Sequence, residues 1–399
     1  MLIIKSLIDN DLYKFTQQKA VLAYKQDVPV TYAFNNRRKS NVFNDAFMDA
    51  FHDELWDMDC LQASDEQIKY FQERCPFLGR DYFEYLRNYR FNPDEVTAKL
   101  DASGQLDLKI AGTWDRTILW EVPLMALISE LYFIHCDTNW NHSMTAQEIK
   151  LHEKAKKLEG INFTDFGTRR RRNFETQELV VSTFSQLSPT FMGTSNVHLA
   201  HQYNVRPIGT MAHEWIMAIS VLEGLLHANR HAMKIWSDIY HGDLGTALPD
   251  TFGTDAFWAD FDGYLARLFD GPRHDSGCPF KFADKTIANY QRLRINPLSK
   301  TAIFSDGLDC DLARKIHDYC ENKLGNAFGI GTHFTNDYLT LLGEISQALN
   351  MVIKLSTCNG KHVVKLGDGK GKEIGDRDAV RVAKHTFFNQ PLDSDGNNE

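Results

Sequence analysis

The sequence predicts an α/β protein, a parallel α/β barrel with an additional α+β domain. Three observations carry that expectation. From about residue 141 short apolar runs ending in Gly or Asp alternate with longer helical patterns, and strand followed by helix, repeated this often, builds a parallel sheet. Polar clusters stand at the ends of those runs, where barrel enzymes keep their βα-loops; this favours a barrel and leaves a doubly wound open sheet as the alternative. A chain of 399 residues with 43% hydrophobic content is too long for one small core, so two domains are expected. Residues 1–140 form the α+β domain, completed by about 345–399, and residues 141–344 form the barrel.

The elements follow in order. In the first 140 residues helical patterns mix with strand-like runs at Val28 to Phe34 and Leu106 to Ala111, each bounded by turn residues. TAQEIKLHEKAKKL reads as a charged linking helix from Thr145 to Leu158, whose Thr145 and Glu148 fit an N-cap with a capping box. Beyond it come INFTDFG, a helix through LVVSTFSQL, PTFMGTSN, NVRPIGTMAH and a helix from Glu214. The alternation continues through YLARLFDGPRHDSG, TAIFSDG and AFGIGT. MVIKLSTCNGKHVVKLGDGKGK reads as a hairpin returning to the first domain, with a solvated lysine-rich loop, and DSDGNNE as a frayed acidic tail.

Composition narrows the functional classes. The net charge of -9 argues against a long nucleic-acid footprint, which needs a basic face, with one local exception at Arg169 to Arg172. Seven scattered cysteines show no C-x-x-C spacing and read as reduced thiols of a cytoplasmic protein. Lys5, Asp9 and Asp11 interrupt the N-terminal apolar run, so no signal peptide is expected. The apolar window from Trp120 to Ile134 contains Glu121, Pro123 and Glu130, and is expected to be too short and too charged to span a bilayer.

Four constellations could carry chemistry. The turns Ser305-Asp306-Gly307 and Gly329-Ile330-Gly331-Thr332 each follow an apolar run and precede helix-forming sequence; loops after barrel strands seven and eight commonly cradle a phosphate this way. Each could equally be an ordinary turn. In Asp165-Phe166-Gly167-Thr168-Arg169, an aromatic ring beside a guanidinium suits a flat heterocyclic acid. Most of the four consecutive arginines must then face solvent or a phosphate-rich ligand, so one or two belong to the site. GTMAHEW ends a strand-like approach in His213, and neutral imidazole is a nucleophile toward phosphorus, although a lone histidine is more often structural. Arg273-His274-Asp275-Ser276-Gly277 combines a cation, a carboxylate and a small turn, ingredients for a ribose or a magnesium-bound diphosphate.

These segments, in this order, resemble the nicotinate phosphoribosyltransferase family. The resemblance runs through LIDNDLYKFTQQKAV, LWEVPLMALISELYF, DFGTRRR, FMGTSNV, GTMAHEW, PRHDSG, FSDGLD and FGIGTHFTND. It implies a two-domain homodimer with an incomplete barrel, which joins nicotinate to phosphoribosyl pyrophosphate with coupled ATP hydrolysis and Mg²⁺ on the diphosphate. It implies that His213 is the phosphorylated histidine, that Phe166 and Tyr13 stack on the pyridine, Tyr13 usually from the neighbouring subunit, and that Arg169 meets the acid. Asp275, with Arg273 and Ser276 beside it, is implied at the ribose or diphosphate, and Ser305, Asp306, Gly307, Gly331 and Thr332 at the 5′-phosphate. The segment Gly193-Thr194-Ser195 bears on the substrate: related nicotinamide enzymes carry an aspartate where Ser195 stands, and a serine hydroxyl can donate to a carboxylate that an aspartate would repel. The orienting partner of His213 and the metal ligands are not legible. Rival readings are a quinolinate or nicotinamide phosphoribosyltransferase, a sugar-phosphate barrel lyase, and a non-catalytic nucleotide-binding regulator.

Overall fold

The computed structural model describes residues 2–368 and 373–390. The tail DSDGNNE and positions 369–372 of the lysine-rich loop lie outside the described residues.

The N-terminal region opens with helix Leu12–Tyr24 and strand β1 (Pro29–Asn36), then three helices, then β2 (Val96–Leu100) and β3 (Leu106–Thr113). In β3 the alternation of Leu106, Leu108 and Ile110 with polar residues buries one face, as a period of two requires. After β3 the chain runs helically from Trp114 to His135, 22 residues, which is long and apolar enough to cross a membrane. The expectation that this window is too short is therefore wrong on length. Its surroundings decide the matter: 94% of its most apolar stretch is buried inside the protein, as in the core helix of a folded domain. Pro123 falls in the first turn of helix Glu121–His135, where no N–H is needed.

The linking helix spans Met144–Lys157 and is capped by Ser143, whose hydroxyl accepts from the Ala146 amide at 3.2 Å. The cap thus falls two residues before Thr145, which lies inside the helix. Six parallel strands follow: β4 (Phe163–Asp165), β5 (Phe191–Thr194), β6 (Thr246–Ala247), β7 (Gly271–His274), β8 (Thr301–Phe304) and β9 (Gly325–Ile330), in the spatial order β5-β4-β9-β8-β7-β6. The expected NVRPIGTMAH strand shrinks to one parallel bridge from Pro207 to Thr194, beyond the β5 edge, because a proline offers no N–H to a ladder. Read around the sheet from β4 through β5 and Pro207, then from β6 to β9 and back to β4, spatial order equals chain order. That is barrel connectivity with one open seam, between the Pro207 segment and β6.

Side chains bridge the seam. Arg273 of β7 donates to Thr210 Oγ1 at 2.6 Å and to the Met211 carbonyl at 3.2 Å, and His213 contacts Thr251 at 2.9 Å. The barrel is therefore incomplete, and no eighth strand closes it among the described residues. The phosphate-type turns follow the last two strands present, β8 and β9.

A short ribbon, β10 (Tyr338–Leu339) and β11 (Ile345–Ser346), leads to β12 (Met351–Cys358) and β13 (Lys361–His362). β12 pairs antiparallel with β1 from Val30↔Cys358 to Asn36↔Met351, giving the five-stranded order β13-β12-β1-β3-β2. The C-terminal hairpin thus completes the N-terminal sheet. One hydrophobic core runs from the N-terminal helices through β12 and on into Met211, Trp215, Trp236 and Phe257. A second lies between the barrel strands and their helices, around Phe163, Phe184, Phe304 and Phe328.

Candidate active site

A cavity of about 690 Å³ opens at the C-terminal ends of the barrel strands, between them, the start of helix Leu12–Tyr24, and β12. Parallel barrels gather their loops here because every strand ends on the same side.

At one end the walls are aromatic and acidic. Phe166 follows β4 and its amide donates to the Ile330 carbonyl at 2.9 Å. Its ring lies on the backbone of β9 at Gly329, where a Cβ would stand 2.3 Å from two ring atoms. Arg169, in the turn Thr168–Arg170, places its guanidinium 6.0 Å from the centre of the Tyr13 ring and Nη1 3.4 Å from Glu121 Oε1. The same Glu121 oxygen accepts from the Tyr13 hydroxyl at 3.4 Å. Tyr13 thus lines the cavity of its own chain.

The four arginines diverge, and the burial of Arg171 and Arg172 overturns the expectation that most of them face solvent or a phosphate-rich ligand. Arg169 and Arg170 line the cavity, and Arg170 also donates twice to the Met351 carbonyl, at 2.7 and 3.1 Å, tying the C-terminal return to the barrel. Arg171 is fully buried in a two-pronged pair with Asp9 at 2.8 and 2.9 Å. Arg172 is buried beneath Phe133, 3.5 Å from its ring centre, with Trp140 and Tyr338 close by. A buried guanidinium needs a partner or a ring face, and both are supplied.

Ser195 departs from its expected use. Its hydroxyl donates to Asp11 Oδ1 at 2.7 Å, so the hydrogen offered to the substrate acid is already committed. Thr194 and Ser276 do not line the cavity. Thr194 is buried and donates to Asp165 at 2.7 Å, and Ser276 is buried and donates to Asp250 at 2.5 Å.

The other end is built around His213, the first residue of helix His213–Leu222. Nδ1 lies 2.9 Å from Thr251 Oγ1, while Nε2 lies 2.7 Å from Lys365 Nζ and 3.0 Å from Asp275 Oδ2. An ammonium only donates, so a neutral imidazole accepts at Nε2 and carries its hydrogen on Nδ1, directed at Thr251. Burial and the neighbouring Lys365 charge both hold this imidazole below the ordinary histidine range, against the pull of Asp250 and Asp275. Nε2 therefore keeps a lone pair at neutral pH. Glu214, adjacent in sequence, points elsewhere: it pairs with Lys14 and accepts from Tyr32 and Trp114.

Asp275 is held in turn by Arg273, whose Nη2 donates to Oδ1 at 2.6 Å. Burial pushes its carboxyl upward, but the charge of Arg273, with that of Lys365, outweighs it and keeps it well below the usual carboxylate range. Arg273 Nε also donates to Ser305 Oγ at 2.9 Å. The turn Ser305-Asp306-Gly307 lines the cavity, with Gly307 at φ 60, a left-handed conformation that glycine adopts without strain. Gly331 and Thr332 line it from the end of β9. Arg37 and Lys354 complete a cationic wall, and burial together with Lys365 and Arg37 lowers the Lys354 ammonium to about 7.

His213, Asp250 and Asp275 bring three donor atoms within 4.8 Å of one another. Magnesium prefers oxygen ligands in a regular octahedron, whereas here one donor is an imidazole and an ammonium sits 3.1 Å from Asp250 and 2.7 Å from His213. As arranged, this trio does not fit Mg²⁺.

Sequence reading missed Asp11, Lys14, Glu121, Thr251, Lys354 and Lys365. Glu121 and Lys14 do lie inside segments quoted for the resemblance, and a charge within an apolar run was the available signal. Thr251 carries no such signal.

The sequence model described as the nicotinate phosphoribosyltransferase (NAPRTase) family matches residues 161–391, and that of the family's N-terminal domain matches residues 8–129. The chain belongs to the nicotinate phosphoribosyltransferase family. It is 44% identical to the nicotinate phosphoribosyltransferase of Methanosarcina mazei, over 98% of this chain and 100% of that protein. It is 41% identical to nicotinate phosphoribosyltransferase 2 of Pseudomonas aeruginosa, over 96% of this chain and 97% of that one. The crystal structure of nicotinate phosphoribosyltransferase from Porphyromonas gingivalis superposes with a TM-score of 0.92 at 36% identity, covering 96% of this chain and 99% of that one.

Proposed function

We propose that this member of the family joins nicotinate to phosphoribosyl pyrophosphate, releasing nicotinate mononucleotide and pyrophosphate, and that ATP drives the reaction by phosphorylating His213. The observation that carries this reading is one cavity holding two ends of distinct chemistry. A pyridine clamp of Phe166, Tyr13 and Arg169 stands at one end, and a buried neutral imidazole beside Lys365, Asp275 and Arg273 at the other.

In the phosphorylation step Nε2 uses its lone pair on the terminal phosphorus of ATP. The N–P bond forms as the bond to the leaving ADP oxygen breaks, and Thr251 keeps the Nδ1 hydrogen in place, so no proton must leave first. In the transfer step the pyridine nitrogen attacks the anomeric carbon while the bond to diphosphate breaks. It needs no base. Arg169 fixes the acid, the two rings fix the plane, and Arg273, Lys354 and Lys365 offset the charge of the leaving diphosphate. Magnesium enters as the counter-ion of the diphosphate substrate. The Ser305–Gly307 and Gly331–Thr332 turns are the proposed seat of the 5′-phosphate. A homodimer and a cytoplasmic location belong to the same proposal.

The test is nicotinate-dependent release of pyrophosphate, with and without ATP, alongside incubation with γ-labelled ATP. An acid-labile, base-stable label that disappears in His213→Asn is expected. Turnover without any such label would remove the phosphohistidine from the mechanism.

A further inference from the structure

The acid-binding end of the cavity contains an acid of its own. Glu121 brings Oε1 to 3.4 Å from Arg169 Nη1, so a substrate carboxylate reaching for that guanidinium meets a competitor of the same charge. Lys14 holds the competitor. Its Nζ lies 2.6 Å from Glu121 Oε2, closer than Arg169 does, and it is wholly buried where Arg169 is 42% exposed. A shorter, drier pair is the stronger one. Lys14 is itself fixed by Glu214 Oε2 at 2.5 Å, and the other oxygen of Glu214 accepts from Tyr32 at 2.6 Å and Trp114 at 2.7 Å. The lysine therefore cannot follow Glu121 toward Arg169; Glu121 must come to it. Burial tends to raise the Glu121 carboxyl, yet Lys14 and then Arg169 keep it below the ordinary range, so it stays ionised and needs its counter-charge.

We propose that Lys14 is a specificity-determining residue acting through Glu121: by holding that carboxylate it leaves Arg169 free for the acid of the substrate and cancels the charge that would repel it. Without Lys14, Glu121 turns to Arg169 and the cavity suits a neutral amide better than an acid. This rests on the nicotinate reaction proposed above.

The experiment is steady-state kinetics with nicotinate, nicotinamide and phosphoribosyl pyrophosphate on the wild type, Lys14→Met, Glu121→Gln and the double variant. Lys14→Met raises the nicotinate KM about tenfold or more, with kcat and the phosphoribosyl pyrophosphate KM held within about threefold, because Glu214, which also loses its ion pair, keeps its bonds to Tyr32 and Trp114 while the acid's contact is lost. Its preference shifts toward nicotinamide. The double variant regains most of that loss because both charges are gone, which a purely structural role for Lys14 does not predict. Glu121→Gln alone leaves the nicotinate KM at or below that of the wild type. The proposal is overturned if the double variant is no better than Lys14→Met, or if Glu121→Gln alone raises the nicotinate KM about tenfold, which would make Glu121 a support of Tyr13 and Arg169. Should Lys14→Met fail to fold while the double variant folds, that contrast itself shows the uncompensated Glu121 charge, and a double-variant nicotinate KM about tenfold above that of Glu121→Gln overturns the proposal, since Lys14 would then act without Glu121. Wild-type inability to use nicotinate would instead defeat the proposed function itself.

Discussion

Gly329→Ala places one methyl group where the structure has no room. The added Cβ would stand 2.3 Å from Cδ2 and Cε2 of Phe166 and 3.1 Å from Cγ. Ordinary carbon contacts lie near 3.5 Å or beyond, so the ring must move by more than about 1 Å, away from β9 and into the cavity. A displacement of that size in a positioning group lowers turnover by about 100-fold. Gly329 does not have positive φ, so the alanine strains no backbone angle, and the stability change is confined to overpacking of about 1–3 kcal/mol. The assay pairs nicotinate kcat/KM with labelling of His213 by γ-labelled ATP. Turnover falls while labelling persists, since the imidazole of His213 is held by Thr251 and Lys365 and not by Phe166. A kcat/KM within about threefold of wild type would refute the assignment of Phe166 as the surface on which the pyridine lies.

Three further outcomes follow from the same geometry. Thr251→Val leaves the Nδ1 hydrogen of His213 without its acceptor, a loss of about 1–3 kcal/mol in orienting the ring; phosphohistidine formation slows at least about tenfold by label incorporation, with folding intact by circular dichroism. Lys365→Met removes a charge that holds the His213 pKa down, so that pKa rises and the acidic limb of the labelling rate moves to higher pH; an unmoved limb in a pH series would count against Lys365. Glu130, buried in helix Glu121–His135, is raised to about 7 mainly by burial. A carboxyl whose folded pKa lies above its unfolded value binds its proton more tightly when folded, so stability falls as pH rises from about 4.5 through about 7. Glu130→Gln removes that dependence, recovering about 3 kcal/mol at pH 8, which thermal melting across pH 5 to 8 will read.

By itself the sequence determined the order of elements and the residues that had to lie at strand ends. The run of apolar segments, each closed by Gly or Asp, dictates parallel strands with their loops on one side, so Phe166, Arg169, Asp275, Ser305 and Gly331 meet in one cavity, which His213 joins from a helix start that no strand directly precedes. Hairpin alternation after Met351 was also legible, because a period of two survives wherever one face of a strand is buried. Tertiary structure alone decided what surrounds those residues. Lys365 comes to His213 from 152 residues away, and Lys14 to Glu214 from 200, and a lysine in sequence reads as solvated until burial proves otherwise. The fates of Arg171 and Arg172 were hidden for the same reason: their partners, Asp9 and the ring of Phe133, stand 162 and about 40 residues earlier in the chain. Thr194, at the end of β5, and Ser276, in the bend after β7, sit beside site residues but turn into the wall, where Asp165 and Asp250 accept their hydroxyl hydrogens. Local pattern fixes which backbone ends reach the cavity, while charge compensation at long range fixes which groups are left free to act in it.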